Sequence, residues 1–384
     1  MIGLTKNNKT RKMGPKFRAR PTALDLRFIG VPGNPDSVEI HVESTPRGLR
    51  SHPIVIGKSA LRAMRKSLID GIEAYTRDKT FGKLKALAEL GYETFNILSS
   101  THGPIHRERW RKLFEAPNDV RHSVIRVKFD GDFSFPVGLL CSSKPTTDQY
   151  KELVNKFIGA RSVVINSLGM IHDREDDRNH VSVKRPCWVA HAIDVDVPGA
   201  GKESKFLGAL EGLRTSRCKS KAELVEAWNS RKTGIIHFTS HHRFDVDSGQ
   251  YVLTLSGGEK FGALSDRVQI NRANDGLPFL FLNGCNTGQV LAGFPDTFAS
   301  SLSPAFSSGI LTTLHSVGGV DAAQFARTYY QKWLATDFAI DALAQTKHEY
   351  VFNRRDFSAI TYEFWAMPEV LTLFEWSDDE EEIS

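Results

Sequence analysis

Gly234-Ile235-Ile236-His237-Phe238-Thr239-Ser240-His241-His242 and Leu277-Pro278-Phe279-Leu280-Phe281-Leu282-Asn283-Gly284-Cys285 share one plan. Each is a short apolar run that ends in polar or turn-forming residues. Strands buried on both faces of a parallel sheet read this way. One run delivers an imidazole, His241, at its carboxyl end, and the other a thiol, Cys285. If two such strands lie side by side, a base meets a nucleophile. The imidazole raises the thiolate fraction and can then protonate a leaving amine. Gly284 permits the sharp exit that a presented nucleophile needs. The backbone N–H groups of Cys285 and of His242 are the candidate oxyanion hole. The pair points to a Cys/His dyad of the peptidase type. The competing reading of Cys285 is a small buried hydrophobe, which free cysteines commonly are. The polar Gly284-Cys285-Asn286-Thr287-Gly288 context suits a cleft better than a core, and pattern alone leaves both readings open.

Outward from these runs, strands alternate with helical periods. Val124–Val127, Phe133–Leu140, Ser162–Asn166, Cys187–Ile193, Tyr251–Leu255 and Ile310–Leu314 read as further strands. Thr147–Ile158, Lys202–Leu213, Ala222–Trp228, Ala322–Leu334 and Ile340–Tyr350 read as helices. This alternation predicts an α/β fold with a largely parallel sheet flanked by helices. In such sheets reactive groups collect beyond the carboxyl ends of the strands, where both His241 and Cys285 stand. Ahead of this unit, Leu24–Gly30 and Ser37–Val42 flank Pro32-Gly33-Asn34-Pro35 and read as a hairpin. From Lys58 to about Ala116 apolar residues recur at helical spacing, which fits two or three helices. The resulting division is a basic tail (1–20), a strand and helical segment (21–118), the α/β unit (119–376) and an acidic tail (377–384).

Composition narrows the class. The hydrophobic share of 40% and charged share of 25% are those of an ordinary globular chain able to bury a core. No apolar stretch approaches the roughly 18 to 20 residues of a membrane span. The four cysteines, 141, 187, 218 and 285, show no paired spacing and read as free thiols in a reducing compartment, so a cytoplasmic location is expected. Lys6, Lys9, Arg11, Lys12, Lys16, Arg18 and Arg20 make the first twenty residues basic; Asp378, Asp379, Glu380, Glu381 and Glu382 make the end acidic. Both read as disordered, and the basic one is the single place where nucleic acid could bind. The charged stretch His172–His180 reads as an exposed loop. His237, His241 and His242 invite a metal reading, but no carboxylate or thiolate has matching spacing, so no metal is expected. Gly199-Ala200-Gly201-Lys202 follows a strand like a phosphate loop yet lacks the Walker spacing, so no cofactor is expected either.

Taken as an ordered set, these segments resemble the CHAT family, the caspase-like proteases related to separase. Gly234–His241 is similar to its strand ending in His-Phe-x-x-His-Gly, and Phe279–Gly288 to its strand leading into Cys-x-Thr-Gly. Val197-Pro198-Gly199-Ala200 with Glu203 resembles its Leu-Pro-Gly-Ala…Glu segment. Ser308–Leu314, the helix with Phe325, Tyr329 and Tyr330, and Tyr362–Pro368 resemble the segments that follow. The resemblance implies a caspase-like sandwich, with His241 as general base and acid and Cys285 as nucleophile. It departs at His242 (family glycine), His315 (tryptophan) and Gly319 (aspartate). Asp321 matches a second acid of the separase version and is the candidate reader of an Arg or Lys side chain before the scissile bond. An exposed helix N-terminal carboxylate is its plainer reading. The implied function is a cysteine endopeptidase acting on proteins, a triggered effector in bacterial stress or antiphage defence. Its trigger would be a partner protein or a homo-oligomer. The alternative is a catalytically silent module that binds partners through the same cleft.

Overall fold

The computed structural model of the chain describes residues 22–44, 48–100, 103–114, 123–129, 134–168, 180–185, 187–271, 277–283, 299, 302, 307–315, 317–336, 338–365 and 371–376. Cys285, both charged ends and 172–179 lie outside them.

Strands β1 (Thr22–Val31) and β2 (Asn34–Ser44) form the expected hairpin. Pro32 presets the first φ of the turn and Gly33 takes φ 77°, as a type II turn requires. Short β3 (Leu49–Arg50) and β4 (Ile54–Gly57) pair with β2. Three helices follow: α1 (Lys58–Asp78), α2 (Phe81–Ser100) and α3 (Pro104–Phe114). α1 buries Leu61, Leu68, Ile72 and Tyr75 along one stripe.

β5 (Ser123–Phe129) pairs parallel with β1, so the hairpin shares a sheet with the α/β unit. The strand expected over Phe133–Leu140 is absent from its described residues. Val137–Leu139 is a 3-10 turn after Pro136, and Gly138 packs so tightly on Gly159 that a Cβ at 159 would lie 2.9 Å from its Cα. The single helix expected over Thr147–Ile158 is two short ones, α4 (Tyr150–Val154) and α5 (Ile158–Arg161). Phe157, between them, bridges to Cys141. β6 (Ser162–Leu168) follows.

β7 (His180–Arg185) precedes β8 (Cys187–Ile193). α6 (Ala200–Gly208) stops short of the expected Leu213, which instead opens the edge strand β9 (Leu213–Cys218). Then come α7 (Lys221–Asn229) and β10 (Thr233–Thr239). A small antiparallel sheet of β11 (His242–Asp245), β12 (Gln250–Thr254) and β13 (Lys260–Gly262) leads to β14 (Phe279–Leu282). β15 (Gly309–Thr313), α8 (Gly319–Thr336), α9 (Ala339–His348) and β16 (Tyr362–Trp365) complete the core. β17 (Leu371–Trp376) pairs with β7.

The main sheet runs β3-β2-β1-β5-β6-β16-β15-β14-β10-β8-β9. β1, β5, β6 and β16 are parallel to one another, as are β15, β14, β10, β8 and β9. The two blocks meet where β15 and β16 pair antiparallel. The expected α/β sandwich, largely parallel and flanked by helices, is the observed one.

Candidate active site

β10 and β14 are neighbours and run parallel, with Phe238 opposite Leu282. Asn283 N–H donates to Phe238 O at 3.0 Å, which fixes the register up to the carboxyl ends. Ile235–Phe238 and Phe279–Leu282 are buried on both faces. Past that end Thr239 and Ser240 are buried and His241 is exposed. His241 stands three residues beyond Phe238. Cys285, outside the described residues, stands three beyond Leu282 in sequence. His241 O accepts a hydrogen bond from Thr254 N–H (3.0 Å), and the chain turns at once into β11. There the His242 ring lies flat on Tyr251, centroids 4.9 Å apart and planes 9° from parallel. That stacking is what a glycine at 242 would forgo.

Beneath the strand ends lies a buried polar network that sequence reading missed. Glu203, on the first turn of α6, accepts from His237 Nε2 (2.9 Å) and Asn283 Nδ2 (2.6 Å) at Oε1, and from the Thr239 hydroxyl (2.8 Å) at Oε2. Thr239 spends its proton on Glu203, so His191 Nε2 donates to the same hydroxyl oxygen (2.9 Å). With Nε2 of His237 the donor, its Nδ1 accepts from Tyr330 O–H (3.1 Å). Asn283 also donates to Ala322 O (3.1 Å) and accepts from Tyr362 O–H (3.1 Å). One carboxylate therefore ties α6 to the carboxyl ends of both strands. His237, weighed above as a metal ligand, is a buried member of this network. No group of three or more His, Cys, Asp or Glu able to hold a metal occurs among the described residues. Burial, with the neighbouring His237 and Arg217 acting in the same sense, pushes His191 well below the usual imidazole range. The visible signal for Glu203 was the Gly199-Ala200…Glu203 segment itself. Asp194, buried where β8 ends beside β10, was not singled out; its N–H donates to Thr239 O (2.8 Å).

The glycine loop is a packing device. Gly199 takes φ 92°, and a Cβ there would come within 3.0 Å of Gly319 O. A Cβ at Gly319 would overlap Pro198 O, so no aspartate fits at 319 in this packing. Asp321 lies in the first turn of α8, next to the Ala322 carbonyl that holds Asn283. Its Oδ2 is 2.9 Å from Lys79 Nζ, which is also 2.9 Å from Asp356 Oδ2. His315, where β15 ends, is fully buried and bonded through Nε2 to Thr76 of α1 (2.7 Å). Phe325, Tyr329 and Tyr330 are core residues: Phe325 stacks on Tyr362 at 3.5 Å, and both tyrosines lie within 6 Å of the Phe281 ring. Cys141, Cys187 and Cys218 are buried; burial raises the Cys141 thiol well above its usual value and the Cys218 thiol to about 11.

Similar solved structures include the complex of Porphyromonas gingivalis RgpB pro- and mature domains, with 9% identity and a TM-score of 0.44 over 81% of this chain and 78% of that one. The Saccharomyces cerevisiae separase–securin complex is similar at 9% identity and a TM-score of 0.46, over 91% of this chain and 30% of that one. A second structure of that complex gives 11% and 0.45, over 92% and 30%. The chain thus spans 30% of the length of those separase complex chains. No curated protein matches it. The CHAT domain model matches residues 179–371, half of the chain and the half that carries β8 to β16. The chain belongs to the CHAT domain family.

Proposed function

We propose that this protein is a cysteine endopeptidase in which Cys285 is the nucleophile and His241 the general base and acid. The observation that carries the reading is the parallel pairing of β10 with β14 in the register Phe238 to Leu282. It starts His241 and Cys285 from neighbouring strand ends with equal lengths of chain to spend. In the proposed reaction the Cys285 thiol gives its proton to His241 and the sulfur attacks the scissile carbonyl carbon. The oxyanion takes hydrogen bonds from the backbone N–H groups of His242 and Cys285, each such donor contributing about 3 kcal/mol. The imidazolium then protonates the leaving amine, and His241 activates the water that hydrolyses the thioester. Asp321, beside the Ala322–Asn283 contact, reads the side chain before the cleaved bond and favours Arg or Lys. The substrates are proteins. A partner protein or a further copy of the chain supplies the trigger, in keeping with an effector role in bacterial stress or antiphage defence, in the cytoplasm.

Iodoacetamide labelling tests the dyad. The three described thiols are buried, so Cys285 is expected to label selectively and to slow at least tenfold in His241→Ala, because the thiolate fraction falls. Equal labelling of all four thiols, or no effect of His241, would replace the enzyme with a silent binding module. Peptide-library profiling of the wild type is expected to show Arg or Lys before the cut, relaxed in Asp321→Asn; a preference for acidic residues removes Asp321 from the site.

A further inference from the structure

Lys79 ends α1 in the left-handed conformation, φ 48° and ψ 31°, a position usually held by glycine or asparagine. Its side chain crosses to the α8 N-terminus and places one ammonium 2.9 Å from both Asp321 and Asp356. Arg355, just before Asp356, is the other non-glycine with positive φ (56°) among the described residues. One tyrosine holds both sides. Tyr75 O accepts from Lys79 N–H (2.6 Å), while Tyr75 O–H donates to Arg355 O (3.5 Å) and its oxygen accepts from Phe357 N–H (3.2 Å). Two uncommon backbone conformations thus converge on one ion pair, and such outliers persist only where the surroundings over-determine them.

Partial burial disfavours the Lys79 ammonium, but its hydrogen bonds to Asp321 and Asp356 outweigh that and raise its pKa. The Asp321 side chain is 41% exposed against 15% for Asp356. An incoming cation can therefore reach Asp321 more readily than Asp356. Beside the pair lies a cavity of about 600 Å³ lined by Tyr75, Lys79, Phe81, Tyr150 and Arg355, room into which the lysine stem can withdraw.

We propose that Lys79 is a built-in occupant of the Asp321 carboxylate, standing in for the basic side chain of a substrate and held by Asp356 until that side chain displaces it. The inference rests on the assignment of Asp321 in the proposed function. A guanidinium can engage a carboxylate with two parallel hydrogen bonds, whereas the lysine ammonium binds as a point charge, so arginine displaces Lys79 better than lysine does.

The test uses the full chain carrying Cys285→Ala, so that binding is read without turnover. Fluorescence anisotropy would follow a labelled peptide with one Arg and a matched peptide with Ala. Lys79→Met is expected to tighten the Arg peptide about two- to fivefold, the size of a partly exposed ion pair. The Ala peptide should be unchanged and the gain lost in Lys79→Met with Asp321→Asn. Asp356→Asn, which keeps the oxygen that accepts from Ser358 N–H, should give a smaller gain in the same direction and serves if Lys79→Met fails to fold. Equal or weaker Arg-peptide binding in both folded variants overturns the inference, as does the absence of Arg-peptide binding in every variant. A Lys79-dependent binding gain with no cleavage by the Cys285 protein removes the peptidase reading alone; cleavage that ignores Lys79 removes only the built-in occupant.

Discussion

Glu203 faces three donors and no acceptor: His237 Nε2, Asn283 Nδ2 and the Thr239 hydroxyl. Glutamine in its place would offer one accepting oxygen and turn an NH₂ toward a group that also donates, in a site with no water-exposed surface to relieve the clash. Glu203→Gln is expected to lower unfolding free energy by about 2 to 3 kcal/mol. The check is the urea midpoint at unchanged slope; an unmoved midpoint would falsify the donor assignment. This residue was half legible. Its place in a glycine-led segment was visible, but its partners lie 34, 36 and 80 residues away on other elements, and single-sequence periodicity carries no information about such pairs. The departures at 242, 315 and 319 were visible as residues without reasons. The reasons are tertiary: the Tyr251 face under His242, Thr76 beside His315, and the Pro198 carbonyl against Gly319.

At the scale of elements, His315 is the pin between β15 and α1. Thr76 donates its hydroxyl proton to Ile72 O (2.7 Å), so His315 must donate from Nε2, and its Nδ1 finds no hydrogen-bond partner among the described residues. Burial pushes the ring down to about 4, with the Asp356 carboxylate pulling the other way. Its folded pKa thus lies below the roughly 6.5 of an unfolded chain. The neutral ring's contribution is complete above pH 6.5 and is lost as pH falls through the folded value, a change on the order of 3 kcal/mol. His191 and the carboxylates titrate too, so the informative quantity is a difference. Between pH 6.5 and 4 the stability gap between wild type and His315→Gln should shrink in the direction of the variant; a gap independent of pH would show that the ring does not titrate on unfolding. Such docking is invisible in sequence, whereas α7, α8 and the strands β8, β10 and β14 were legible because burial on one stripe or on both faces leaves a trace in the order of apolar residues; β16, in the middle of the sheet, was not read as a strand. The edge strand β9, with Arg214, Ser216 and Arg217 exposed, and the 3-10 turn after Pro136 left no such trace, since a solvated edge and a buried turn obey no hydrophobic period.

For the whole molecule, the question is whether the sheet opens as two blocks, β3 to β6 on one side and β16 to β9 on the other, divided at the β6–β16 pair and not at the antiparallel β15–β16 pair. Among the described residues β16 registers with β6 through Phe364 opposite Ile165 and Trp365 opposite Asn166, a narrow backbone seam. Side chains cross it more broadly. Phe129 stacks on Trp365 at 6.2 Å, and Asn166 donates to the buried Glu363. One apolar cluster runs from Leu24 to Trp365 without a gap at the seam. Buried thiols report on both sides of it. Cys141 packs beneath Gly91 of α2 in the first block, and Cys187 and Cys218 lie on neighbouring strands of the second. A continuous core makes opening of one block expose apolar surface on the other, so the blocks should unfold as one cooperative unit. In a Cys285→Ala protein, pulsed thiol labelling across a urea series should therefore give all three cysteines the same midpoint. If Cys141 became reactive at lower urea than Cys187 and Cys218, the β3 to β6 block would be an independently opening unit, and the Phe129–Trp365 and Asn166–Glu363 contacts would count for less than the thin hydrogen-bonded seam between β6 and β16.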